Sequence, residues 1–237
     1  MSSMTSQEVL DKDKEMSLNS DAVVMDPINN KKEDESQDKT PSELYAEILK
    51  LVKQPNATFQ FAVFECCTVA FGSYAMSTRS PTFGVPVAFT ELGIVVNFLH
   101  RRDNEGSDTI VGICIPFNTI SDILVNWNDE YPVLFISVSP QIAEWVRQVL
   151  DMDGDPENGT GRYFCPDSEH QFQKMILLEL TQESGAAKDN IAKLQTIYKD
   201  KLNEISSSAS SAMLMSMMVP LELRAVVGEF IPNQVAP

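Results

Sequence analysis

Apolar residues are sparse and aperiodic over residues 1–40 and become regular after Thr40. Leu44, Ile48, Leu51 and Val52 then fall on one face of a helix. Just before them, Thr40-Pro41-Ser42-Glu43 combines an N-cap threonine, a proline at the first helical position and a glutamate three residues on. This capping box predicts an amphipathic helix over Pro41–Lys53. From Phe59 the period shortens. Phe59–Phe71 is dense in β-branched and aromatic residues, and the loop Ser77–Pro81 follows it. Val85–Thr90 and Gly93–Leu99 read as two strands joined at Glu91-Leu92, and Arg101–Asp108 reads as a polar loop. Thr109–Ile115, Thr119–Trp127 and Tyr131–Val138 continue the series.

Helical spacing returns at Pro140, where Ile142, Trp145, Val146, Val149 and Leu150 form one apolar face behind a Ser139 cap. The acidic loop Asp151–Gly161 ends that helix. Tyr163–Cys165 and Phe172–Leu180 read as two further strands. Ile191, Leu194, Tyr198, Leu202 and Ile205 then share one side of a helix expected over Ala187–Ile205. Ser206–Ser211 reads as a serine-rich linker. Beyond it Met213, Leu214, Met217, Met218, Leu221 and Leu223 form a candidate partner-binding segment, because unbranched, polarizable methionine suits adaptable grooves. The same pattern also fits a segment that packs back on its own domain.

The elements together predict an α+β fold, mostly antiparallel. About seven strands form a curled sheet or β-sandwich, capped by a C-terminal helix, with an extra helix at 140–150. The expected organisation is an acidic disordered arm over 1–40, one globular domain over 41–205 and a Ser/Met-rich flexible tail over 206–237.

Charge narrows the partners. The 237 residues carry a formal net charge of -16, with ten acidic against five basic residues in 1–40 and sixteen against six from Phe59 to Gln182. An acidic domain repels phosphate backbones and anionic lipid headgroups, which disfavours direct nucleic-acid and lipid binding and favours basic protein partners. No run of eighteen apolar residues predicts a membrane span, and the start of the chain lacks the pattern of a secretory leader. Cys66, Cys67, Cys114 and Cys165 do not make a disulfide framework, so a reducing compartment, cytoplasm or nucleus, is expected.

Candidate chemistry is thin. Asp151-Met152-Asp153-Gly154-Asp155 has the alternating carboxylates of a calcium loop, but Pro156 and Arg162 stand where the twelve-residue loop needs glycine and a bidentate glutamate. The cysteines form no C-x-x-C pair and His100 and His170 are isolated, so no metal is expected, and no glycine-rich phosphate loop is present. No cofactor is expected. Ile123-Leu124-Val125 followed by Asp129-Glu130 has the pattern of a SUMO-binding segment, though its place as a core strand hides it. The expectation is a non-catalytic interaction module, an adaptor or regulatory subunit. One alternative is a hydrolase-like enzyme using Cys165, Glu169 and His170. The other is a lipid-binding module.

In the order of its elements, the span Phe59–Ile205 resembles the pleckstrin-homology-like superfold. The resemblance implies a bent β-sandwich whose open end is capped by the last helix. It also implies that Tyr198 fills the place where lipid-binding members usually carry a tryptophan, since Trp127 and Trp145 lie elsewhere. The loop in which those members gather basic residues, Met76–Gly84, offers only Arg79.

Overall fold

The computed structural model describes residues 39–54, 59–77, 84–101, 108–127, 132–155, 157 and 161–217. Residues 1–38 of the expected arm lie outside the described residues, as do Met218, Leu221, Leu223 and Arg79. The first helix, α1 (Pro41–Lys53), has the expected bounds. Thr40 Oγ1 accepts from the Glu43 N–H, and the Glu43 carboxylate accepts from the Thr40 N–H at 2.9 Å. Two donors that a helix start would leave open are thereby satisfied. These bonds from Thr40, the backbone one foremost, hold the Glu43 carboxyl below its usual range.

Nine strands follow: β1 (Phe61–Phe71), β2 (Tyr74–Ser77), β3 (Val85–Thr90), β4 (Gly93–Arg101), β5 (Asp108–Pro116), β6 (Ile120–Asn126), β7 (Val133–Val138), β8 (Ile176–Leu180) and β9 (Leu202–Glu204). The further helices are α2 (Pro140–Val149), α3 (Gln182–Gly185), α4 (Lys188–Ile197) and α5 (Ser207–Met217). The strands form one sheet in the order β5-β4-β3-β1-β8-β7-β6-β9, with β2 paired to β1. Every pair is antiparallel except β6 with β9. The fold is therefore α+β and mostly antiparallel, as expected, but the sheet is open. Its path ends at β5 and β9 and is not curled into closure. β1 joins the two halves: it pairs with β3 over Phe61–Cys66, shifts register between Cys66 and Thr68, and pairs with β8 on to Phe71.

Two expectations need correction, and one strand was not foreseen. The strand expected over Phe59–Phe71 ends at Phe71 as β1, then turns at Gly72-Ser73 and returns as β2, which the sequence did not predict. Gly72 has φ +57°, and a Cβ there would lie 2.4 Å from the Tyr163 carbonyl oxygen, so turn and close approach both demand glycine. Tyr163–Cys165 is irregular, because Ser73 occupies its polar groups: Ser73 N–H donates to Tyr163 O and Tyr163 N–H donates to Ser73 Oγ. The helix expected to reach Ile205 stops at Ile197. A turn at 198–201 then delivers Leu202–Glu204 to β6 as a parallel strand.

Alternation along the strands divides the side chains between two environments. On one face Phe64, Val87, Phe89, Val96, Ile113, Ile123, Leu134, Ile136 and Leu178 share a single core with the apolar face of α2. The helix expected as an interruption of the strand series is thus part of that core. On the other face, α1 lays Leu44, Tyr45, Ile48 and Leu49 over Ala88, Val95 and Cys114. Tyr45 rests where a Cβ on Gly112 would fall 2.3 Å from its ring, and its hydroxyl donates to Asn97 Oδ1 at 2.6 Å. The same face farther along the sheet is covered by α5. There Met213, Leu214 and Met217 pack with Val133, Phe135, Leu124 and Leu177. Strands buried on both faces explain the near-continuous apolar runs Ile94-Val95-Val96 and Val133-Leu134-Phe135-Ile136.

The end of α4 closes the core. Tyr198 is fully buried, its ring meets Phe89 edge-on at 5.8 Å and tilts against Phe117 at 5.1 Å, and its hydroxyl donates to Thr90 O at 3.0 Å. Burial pushes its phenol well up. Lys201 sits over the Phe117 ring at 4.6 Å and donates to Ile120 O, tying the turn before β9 to the sheet.

Candidate functional site

Where β1 leaves β3 for β8, the first half of β1 has one edge with no strand beside it. Helices α3 and α4 flank that edge instead, a common way to cover unpaired backbone. Ser184 Oγ accepts from the Glu65 N–H at 2.7 Å, the Thr181 N–H donates to Glu65 O at 2.9 Å, and Asn190 Nδ2 donates to Val63 O at 2.7 Å. Backbone groups on a strand point to alternate edges every residue, so Phe61 faces the same way as Val63 and Glu65. The cover stops short of it. Neither the N–H nor the C=O of Phe61 has a partner among the described residues.

A cleft opens at this point. It has a volume of about 370 Å³ and is lined by Phe59 and Gln60 just before β1, by Phe61 at its start, and by Ala192, Lys193 and Thr196 from α4. The rings of Phe59 and Phe61 lie 5.9 Å apart, and Lys193 Nζ stands 6.0 Å from the Phe61 ring centre. Lys193 makes no ion pair among the described residues. Leu194 of the same helix is fully buried, which fixes α4 against the core and turns Ala192, Lys193 and Thr196 outward. Open backbone, two aromatic rings and one unpaired cation suit the recognition of a polypeptide better than any bond-making step.

The family model of the SENP6/SENP7 PH-like domain matches residues 61–222. The chain belongs to this family. Neither a comparison with curated proteins nor one with solved structures gives a significant match. The PH-like domain is an interaction-module type, and the matched span holds all nine strands and α2 to α5. Helix α1 lies before it and adds a cover to the outer face of β3, β4 and β5.

Of the predicted partner-binding residues, the structure places Met213, Leu214 and Met217 against the domain's own sheet. They share a face because 210, 213, 214 and 217 are spaced for one side of a helix, and Ser210 is buried with them. Met215, on the opposite side, is 73% exposed. Ser206–Ser211, expected as a linker, leads into this helix and forms its first turn. The SUMO-type pattern Ile123-Leu124-Val125 lies in β6 between β7 and β9, with Ile123 and Val125 fully buried. No strand edge is left there for a partner.

The residues of the enzymatic alternative are close in sequence without forming a catalytic chain. His170 stacks on Phe172 at 5.5 Å, and the backbone of Cys165 is bonded to Gln173 and Ser168. No hydrogen bond joins the Cys165 thiol to the His170 ring in the described contacts. His100 lies opposite Thr109 in the β4–β5 ladder. Among the described residues no three His, Cys, Asp or Glu side chains gather to hold a metal ion. The loop after α2 turns at Asp151 (φ 50°) and is joined to Arg162 O through the Gly154 N–H. All four cysteines are free; Cys66 and Cys114 are buried, and burial raises both thiols. Cys67, half-buried, is pushed up to about 11, by burial first and the Glu179 charge second. No helix of the described residues is long and apolar enough to cross a membrane.

The cleft itself was missed by sequence reading. Phe59 and Phe61 were visible as strand aromatics, and Lys193 and Thr196 as the polar face of a helix. Their meeting depends on β1 changing partners at Cys66, which no local pattern encodes.

Proposed function

We propose that the chain is a non-catalytic protein-interaction module that serves as an adaptor or regulatory subunit of an intracellular complex, in the cytoplasm or nucleus. The carrying observation is the cleft between β1 and α4, where a backbone edge without a partner strand among the described residues meets the half-buried Phe61 ring and the exposed Lys193. Elsewhere the sheet's second face is occupied by the domain's own helices α1 and α5. The net charge of -16 favours partners that are basic overall, by steering encounter over long range. Four free thiols fit a reducing compartment. Met215, exposed on α5, is a second proposed contact, and Met218, Leu221 and Leu223 follow it in the sequence.

Affinity capture with the full chain and with a Lys193→Glu/Thr196→Arg variant tests this reading. Both residues are exposed on α4, so the variant should fold with an unchanged melting temperature. A protein held by the parent chain and lost by the variant is the expected result. Capture of the same set by both chains would remove the cleft as the site. Flotation with anionic liposomes at low salt is expected to leave the protein unbound, and recovery in the lipid fraction would favour the lipid-binding reading.

A further inference from the structure

Resting on the interaction-module reading, we infer that the cleft takes an extended peptide segment that adds a short strand to the free edge of β1 and places a carboxylate beside Lys193. Strand addition needs an edge with open backbone groups at the strand repeat and space for a second chain alongside it. The first half of β1 meets both needs at one place. Glu65 and Val63 O are engaged by Ser184, Thr181 and Asn190, whereas neither the N–H nor the C=O of Phe61 has a partner among the described residues. The 370 Å³ cleft lies beside Phe61, on the side away from β3. Its walls hold the α4 helix back from the strand at Ala192, Lys193 and Thr196, so a peptide entering there meets small or flexible side chains.

Chemistry selects the occupant. One residue of the segment would pair with Phe61 through two main-chain hydrogen bonds. Neighbouring side chains of an extended segment point to opposite faces, so one would lie on the Phe59 and Phe61 rings while a residue next to it reaches α4. Lys193 is the charge of that wall and pairs with no carboxylate among the described residues. An Asp or Glu in the segment supplies it. The charge of the partner as a whole and the charge of this one contact are separate: the first governs encounter in the field of an acidic domain, the second governs register in the cleft.

The experiment selects a displayed random octapeptide library on the immobilised full chain, then measures binding of the selected peptides made synthetically. The enriched sequences are expected to alternate apolar and polar residues around an Asp or Glu. N-methylation of the backbone amide beside that acid should abolish binding, because it removes the donor to Phe61 O. Lys193→Glu should weaken binding by on the order of 10-fold while leaving the melting temperature unchanged. Enrichment without an acid, indifference to N-methylation, or no enrichment at all would overturn strand addition. In each of those cases variant-sensitive capture of a protein partner would still stand for the module reading, and loss of that capture would remove the module reading as well.

Discussion

Tyr198 holds three things at once: the last turn of α4, the aromatic pair Phe89 and Phe117, and the carbonyl of Thr90. Replacing it with phenylalanine keeps the rings in contact and strands a buried acceptor, a loss of about 1–2 kcal/mol. Replacement with alanine removes the ring from a site with no solvent access and should lose roughly 3–5 kcal/mol. Urea unfolding of the two variants checks the order, and equal losses would mean that the hydroxyl bond is not formed. Tyr45 offers a pH test on the opposite face. Burial, opposed by the bond to Asn97 and reinforced by Cys114, pushes its phenol up to about 12. A folded-state value above the ordinary 10 means that the folded form favours the neutral phenol, so its contribution is whole below pH 10 and fades as the pH rises toward 12. The parent chain should therefore lose more stability over that window than Tyr45→Phe does. Parallel loss would contradict the buried phenol.

Among the elements, α5 is the clearest case of a structure hidden by composition. Six residues containing five serines read as a linker, yet Ser210, Met213, Leu214 and Met217 recur at the spacing of one helix face and pack on β6, β7 and β8. Periodicity was available there and composition obscured it. The reverse holds for Leu202–Glu204, where apolar spacing continued a helix and the chain instead turned after Tyr198. Three residues are too few for a strand signal, and their fate is set by the open edge of β6. By contrast, the Pro41–Lys53 helix and the Val85–Thr90 strand carry their own boundary signals, a capping box in one and a glycine-bounded turn in the other, and both emerge with the expected bounds. The tail methionines separate by the same logic. Met217→Ala, in the packed face, should lose about 2–4 kcal/mol, whereas Met215→Ala, 73% exposed, should stay within about 0.5 kcal/mol of the parent. Thermal melts of both decide whether α5 is seated on the sheet.

At the scale of the whole molecule, one long strand shared by two half-sheets explains both the fold and the site. β1 binds β3 and then β8, the exchange leaves a half-edge uncovered, and α3 and α4 engage Glu65 and the Val63 carbonyl but not Phe61. With α1 and α5 on the sheet's second face, this cleft is the recognition site proposed above. A photo-crosslinking amino acid at Ala192 in the cleft, compared with one at Gln148 on the exposed side of α2, tests that claim most directly. In cells making the full chain, the Ala192 probe should capture a discrete protein that the Gln148 probe does not, and Lys193→Glu should weaken the adduct by on the order of 10-fold. Identical adducts from both positions, or an adduct at Ala192 that Lys193→Glu leaves undiminished, would contradict the account.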